Sequence, residues 1–462
     1  MLTKGNIPRK LTSKQTQPES KIALMAWGHV WEDFHDSIGI SWETFLSEYK
    51  GSWMFNYIDA LQLAGVQTVV FYPSTRVTEP SRFIHKPTGA TICMLPAPKS
   101  YRAIRRQMVE PYPSFGGGVG KVFGEVRGSR RILSKVFYHL APYLSTPIGL
   151  LAHELRREGC SAILCQEYEY FRFDICVLLG RLMGLPVFAT FQGTNSDGNY
   201  IAHFLRPLSM QACTSLIIGT QTEIERVNNC HNLPPAKIAR IFNPVDLSMW
   251  STSDRGEARA MVGLPIEAQV VVWHGRVEIQ TKGLDILLDA WEQVCCERAK
   301  QNLWLLLIGT GTDAEILRQR IAAMQMQNLL WIDKFVNDRT LIQRYLSAGD
   351  IYAFPSRHEG FPVAPIEAMA CELPVVAAAA PGIPDIFEGG EASGGLVVPC
   401  NNSTAFALAL SRILDDQAWG CELGKRARCR VEEYFSLEVV GRQLRNLLLK
   451  KEMSIFPEPE KN

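Results

Sequence analysis

Two carboxylates, Glu359 and Glu367, stand with seven residues between them in the stretch 354–385, FPSRHEGFPVAPIEAMACELPVVAAAAPGIPD. The apolar run 351–354 before them reads as a buried strand, and Pro355-Ser356 stops it. Pro365 has no N–H and fits only the first turn of a helix, so a helix is expected to start near Val363. The N–H groups of Gly360, Phe361, Val363 and Ala364 would then be unpaired by that helix and would face whatever lies above it. Such a helix start attracts an anion, phosphate above all. The carboxylates would repel phosphate; they are placed instead to accept hydrogen bonds from hydroxyls. Hydroxyl-rich groups on both sides of a diphosphate describe a nucleotide sugar. A plain strand–turn–helix, with one solvated and one capping glutamate, fits the same local pattern.

Other elements must bring partners to this turn. Arg276 and Lys282 share one loop, between the apolar run 269–274 and a helix that puts Leu284, Leu287, Leu288 and Trp291 on one face. That loop lies at the carboxyl end of a strand, where open parallel sheets bind ligands; the bland alternative is a pair of solvated cations. Gln192 and Gly193 end the strand 186–191, and Thr222-x-x-Glu225 fits a capping box for the helix that follows the strand 215–220. The strand 21–27, a loop to Tyr49, a helix opened by Gly51-Ser52-Trp53 and the strand 66–72 make a first crossover unit. Strands and helices alternate through both halves. The expected fold class is α/β, with two Rossmann-like doubly wound domains facing an interdomain cleft. The expected segments are an arm 1–20, a first domain 21–246, a second domain 247–430, a helix 431–451 and a tail 452–462.

Composition excludes several roles. A net charge of +1 over 462 residues gives no field for nucleic acid. The twelve cysteines are scattered, with no C-x-x-C and no histidines at metal spacing, which suits a reducing cytoplasm. Residues 1–20 are polar and lack a signal peptide's apolar run, and no window holds 18 consecutive apolar residues. The stretch 101–135 carries eight Lys or Arg against two Glu, interleaved with Tyr and Phe. It reads as a solvated helical face or as an acceptor patch making peripheral membrane contact. Gly116 to Lys121 is not a phosphate loop: Phe115 stands where glycine is required, and Val122 follows Lys121.

The Glu–x7–Glu turn after Pro-Ser, with Pro374-Val375-Val376 and Gly382-Ile383-Pro384-Asp385, resembles the signature of retaining glycosyltransferases of family four (GT-B fold, glycosyl transferases group 1). The likeness covers the second half well and the first half weakly. It implies transfer of a sugar from a nucleotide-diphosphate sugar to a hydroxyl of a glycan, lipid or small molecule, with retention by front-face attack. The nucleotide sugar is a co-substrate; no other cofactor is implied, and no D-x-D suggests a metal. By the same resemblance, Arg276 and Lys282 grip the diphosphate, Glu359 holds the transferred sugar and Glu367 the ribose. Gln192 stands where the family usually has a histidine that touches the sugar; it keeps a positioning role but cannot carry a proton. Gly51 takes the place of a phosphate-approaching glycine, 241–246 resembles the hinge, and the closing helix returns to the first domain. Residues 329–336 are expected to line a base pocket.

Rival readings remain from the residues themselves. Gly309-Thr310-Gly311-Thr312-Asp313-Ala314 after the strand 302–309, expected to be a central one, with Asp333 further on, matches a dinucleotide fingerprint and suggests an NAD-dependent oxidoreductase. The change to Gln192 suggests a non-catalytic nucleotide-sugar-binding protein. Glu359 and Glu367 as an acid/base pair would suggest a glycosidase, which leaves Arg276 and Lys282 unexplained.

Overall fold

The computed structural model describes residues 20–51, 53–110, 118–125, 128–193, 199–298 and 301–449. Residues 1–19 of the expected arm 1–20, most of the glycine loop before Lys121 and the expected tail lie outside them.

Among the described residues, fourteen strands form two sheets. The first holds β1 (Lys21–Met25), β2 (Gln67–Ser74), β3 (Ser81–Ile84), β4 (Thr91–Pro96), β5 (Ala162–Cys165), β6 (Val187–Thr190), β7 (Ser215–Ile217) and β8 (Ile238–Ala239). Their order is β3-β4-β2-β1-β5-β6-β7-β8, parallel except for the β3–β4 pair. The second holds β9 (Gln269–His274), β10 (Leu303–Ile308), β11 (Leu329–Ile332), β12 (Ile351–Phe354), β13 (Val375–Ala378) and β14 (Gly395–Val398), in the order β11-β10-β9-β12-β13-β14, all parallel. The strand 302–309, read as central, is therefore next to the edge, and β9 and β12 hold the centre.

The strands are apolar without alternation because both faces are covered. In β1, Ile22 and Leu24 pack with Phe45 and Tyr57, while Ala23 and Met25 pack with Leu151 and Phe173. In β9, Val270 and Val272 face one core, and Val271 and Trp273 face the other. In each sheet the chain reverses direction beside a central strand, β1 or β9. Crevices therefore open beyond the carboxyl ends of β1 and β5, and of β9 and β12.

The closing helix Leu437–Leu448 lies against the Trp53–Leu63 helix of the first domain. A Cβ on Gly441 would stand 2.1 Å from the Ala60 carbonyl oxygen, so only glycine allows this approach. Val245 donates its N–H to Phe435 O at 2.8 Å and pairs with Ser436, joining the inter-domain segment to the returning chain. None of the described helices is long and apolar enough to cross a membrane.

The loop expected before Gly51 contains two helices, Trp31–Ser37 and Trp42–Ser47, that carry an aromatic box. His35 stacks on Trp31 at 4.6 Å and meets Phe45 edge-on at 4.9 Å. Its Nδ1 lies 2.8 Å from Trp31 O, an acceptor, so Nδ1 carries the proton of a neutral ring. Burial pushes this imidazole down to about 4. An unfolded histidine titrates near ~6.5, so as pH falls the unfolded chain takes up its proton first. This contribution to stability is complete above that value and is lost as pH drops through the folded one, by up to about 3 kcal/mol. Thermal melts between these limits should show Tm falling with pH, with a shallower slope in His35→Phe.

Candidate active site

The fold brings the two predicted loops together. The loop after β9 carries Arg276 and Lys282, and the loop after β12 carries Glu359; β9 and β12 are neighbours, with Ile351 opposite Val271. Lys282 ends the short helix Ile279–Lys282, and Gly283 turns left-handed at φ +64°. A Cβ on Gly283 would lie 2.1 Å from Pro355 O. The absence of a side chain thus lets the Lys282 turn press against the loop that starts Glu359. The side chains meet: Lys282 Nζ donates to Glu359 Oε1 at 2.7 Å, both largely buried. Lys282 keeps further N–H donors beyond that bond.

The helix after the turn is Ala364–Ala370, with Val363 as its cap residue and no side-chain cap, as Pro365 required. Among the described residues, the N–H groups of Gly360, Phe361, Val363 and Ala364 find no acceptor. Glu367, one turn inside, faces His274 at the end of β9, with Nε2 and Oε2 3.2 Å apart. Tyr352 OH donates to His274 O at 3.3 Å. Burial, and next the charge of Glu367, push the Tyr352 phenol well above its usual range, so it stays protonated and a donor. His274 was missed from sequence; its position as the last residue of β9, beside Gly275-Arg276, was the available signal. Arg276 is the outlying member, mostly exposed and paired with Glu278 at 2.9 Å.

The first domain meets this turn directly. A Cβ built on Gly360 would lie 2.4 Å from Gly193 Cα and 2.5 Å from Gln192 O. Gln192 is not free: its amide exchanges two hydrogen bonds with Asn243, at 3.1 and 2.8 Å, and Tyr57 OH donates to Asn243 Oδ1 at 3.1 Å. Its N–H donates to Glu167 Oε2 at 2.9 Å. Phe361 is a buried wedge, stacked on Phe242 at 5.4 Å and seated against Gly219. Gly51 lies at the same seam. Its φ is +38°, the rings of Tyr49 and Phe55 crowd it, and its carbonyl accepts from Arg339 of the second domain.

Asp385 supplies a second inter-domain clamp, accepting from Gln221 N at 2.8 Å and Arg240 Nη2 at 2.9 Å. This corrects the capping box expected at Thr222. The helix begins at Gln221, its N-cap Thr220 makes no side-chain bond, and Asp385 from the facing domain takes the first N–H instead.

The dinucleotide fingerprint has a packing explanation. A Cβ on Gly309 would lie 1.9 Å from Gly275 O, and one on Gly311 2.3 Å from Val277 O. These glycines hold the Arg276 loop, and Asp333 is paired with Arg318. The expected base-pocket stretch is edge strand β11 followed by an exposed Phe335.

At the other crevice, beyond β1 and β5, several buried polar atoms have no partner among the described residues: both amide atoms of Gln166, His29 Nδ1, Trp31 Nε1 and one oxygen each of Glu32 and Asp33. Asp33 is bonded by Arg105, yet burial pushes its carboxyl up to about 7. Burial, then Arg172 and Arg105, holds His29 down to about 3. Sequence reading did not mark this group, because the residues come from distant segments.

Residues 268–416 match the family model described as Glycosyl transferases group 1. The matched residues hold the whole second sheet, β9 to β14. Relatives named D-inositol 3-phosphate glycosyltransferase share 28% identity over 239 residues in Kineococcus radiotolerans (49% of this chain, 54% of the relative) and 32% over 204 residues in Mycobacteroides abscessus (43% and 44%). The chain thus spans about half the length of the curated relatives it matches. Over 93% of the chain the architecture matches sucrose-phosphate synthase of Thermosynechococcus elongatus (98% of that chain, TM-score 0.65, 19% identity). It also matches Anabaena HepE in complex with UDP over 93% of this chain and 99% of that one (TM-score 0.66, 14% identity). The fold is GT-B, and the residues that match the family model lie in its second lobe.

The Gly193–Gly360 crossing gives a direct test. Gly360→Ala should push the lobes apart while leaving both cores intact. Small-angle scattering should show a larger radius of gyration with Tm nearly unchanged; identical scattering would contradict the contact.

Proposed function

We infer that the chain is a retaining glycosyltransferase that moves a sugar from a nucleotide-diphosphate sugar to a hydroxyl acceptor without a metal. One observation carries this reading: Lys282 and Glu359, from loops 77 residues apart in sequence, meet at 2.7 Å in the crevice beyond β9 and β12, with unpaired N–H groups beside them. As the glycosidic bond breaks, negative charge grows on the leaving diphosphate and positive charge on the sugar. Lys282, Arg276 and the N–H groups of 360–364 answer the first. Such preorganised stabilisation needs no movement at the moment of reaction. Glu359, tethered by Lys282, accepts hydrogen bonds from the transferred sugar, and Glu367, oriented by His274, from the ribose. The departing phosphate takes the acceptor's proton on the face it leaves, which keeps the configuration without a covalent enzyme intermediate.

Gln192 acts through its amide, which Asn243 holds, as a positioning group from the first lobe. The unpartnered polar atoms beyond β1 and β5 support an acceptor pocket there. The GT-B structures of HepE hold UDP, UDP with glucose, or UDP-glucose, which makes uridine-diphosphate sugars the first donors to try. A cytoplasmic location belongs to the proposal, as does membrane contact, though the residues that would make it extend beyond 101–135. Arg102 and Arg105 in that stretch turn inward, to Ala97 O and to Asp33.

A panel of nucleotide sugars, read by release of free nucleotide, tests the reading. Glu359→Gln should lower release by a factor on the order of 10²–10³. Arg276→Ala should raise KM for the donor and slow turnover. Arg276→Ala should keep the wild-type Tm, while Glu359→Gln, which strips Lys282 of its counter-charge, should keep the wild-type circular dichroism with a lower Tm. Full activity in Glu359→Gln, or a response to NAD alone, would refute it.

A further inference from the structure

Three helices of the first domain pack on one another: Ser129–Leu144, Phe171–Met183 and Tyr200–Ala212. Their outward faces are apolar where a globular surface should be polar. On the first, Ile132, Leu133, Val136 and Leu140 fall within an arc of about 100°, and Ile132 is 69% exposed. On the third, Tyr200, Phe204 and Leu208 form a stripe at four-residue spacing, with Phe204 72% exposed. Leu178 and Leu182 add the same spacing on the second. The stripes adjoin: the Tyr200 ring lies 4.9 Å from that of His139, and Asn199 donates to His139 O at 3.2 Å.

The exposed charges on the three helices themselves have one sign. Arg130, Arg131, Lys135 and Arg181 are exposed. The three helices contain a single carboxylate, Asp174, which is buried and bonded by Tyr143 at 2.8 Å and Arg206 at 3.2 Å. Exposed Glu110 and Glu125 lie on the segments before the first helix, and exposed Glu225 on the helix Gln221–His231 that packs against the third. A second copy seated here would set these cations against their own kind. An anionic lipid surface answers both features: the apolar stripes enter the boundary between headgroups and acyl chains, and the cations meet lipid phosphates. Aromatic Tyr200 and Phe204 suit that depth.

We propose that the face formed by these three helices docks the protein on an anionic membrane surface. This docking goes beyond the transferase reading and does not depend on it.

The test is sedimentation of the full chain with vesicles of phosphatidylcholine alone and of phosphatidylcholine mixed with phosphatidylglycerol. The chain should follow the mixed vesicles only, and less so as salt rises. Reversing three charges in Arg130→Glu, Arg131→Glu, Lys135→Glu should weaken binding on the order of a hundredfold. Ile132→Asp with Phe204→Asp should abolish it at low salt. These side chains are exposed, so both variants should keep the wild-type Tm and circular dichroism. The proposal is overturned by absence of binding to mixed vesicles, by equal binding to neutral ones, or by variants that bind as the wild type does. It is equally overturned by an oligomer that Ile132→Asp with Phe204→Asp dissociates. Donor turnover enters none of these readouts, so loss of the transferase reading would leave the result standing.

Discussion

The backbone crossing between Gly193 and Gly360 is the constraint on which the site depends. Neither position has room for a Cβ, and the crossing holds the Glu359 turn against the end of β6. Around it the seam is built from contacts of different chemistry: the Phe361 wedge, the Gln192–Asn243 amide pair and the Asp385 clamp on Gln221 and Arg240. The wedge and the clamp each use a group from one lobe to cover or satisfy one from the other, while the amide pair joins two residues of the first lobe.

The charged residues of the crevice are pre-positioned by one another. Glu359 without Lys282 would be a largely buried carboxylate lacking a counter-charge, and a one-sided loss of that kind is costly. The pair also fixes the Lys282 ammonium in place, with donors to spare. Glu367 is held in the same manner by His274, whose carbonyl is in turn held by Tyr352. Glycine makes these meetings possible. Gly283, Gly309 and Gly311 let three loops stack backbone against backbone, and a motif that mimicked cofactor binding is in this fold a packing device.

The first lobe has a different character. Its crevice contains buried polar atoms without protein partners, and its outer helices expose apolar side chains under a positive rim. Arg102 and Arg105 of the basic stretch visible in the sequence do not contribute to that rim, because a side chain's direction depends on the helix it sits on. Arg105 reaches inward to Asp33, while Arg130 and Lys135 point outward.

The alternation of apolar strands and amphipathic helices, the Pro365-limited helix start and the pairing of a basic loop with an acidic turn were legible from the chain alone. They depend on local rules: periodicity, the missing proline N–H and loop placement at strand ends. What the chain alone did not reveal depends on distance in space. The helix capped by Asp385 looked like a self-capped one because its true partner lies 164 residues away. His274 and the polar group around Gln166 gain meaning only from neighbours on other strands. The strand 302–309 looked central because it is uniformly apolar, a property that any strand covered on both faces shares. Sequence determined which elements form and where chemistry can sit; only the tertiary packing decided which groups meet, because hydrogen bonds and ion pairs act over a few ångströms and the chain's order does not set those distances.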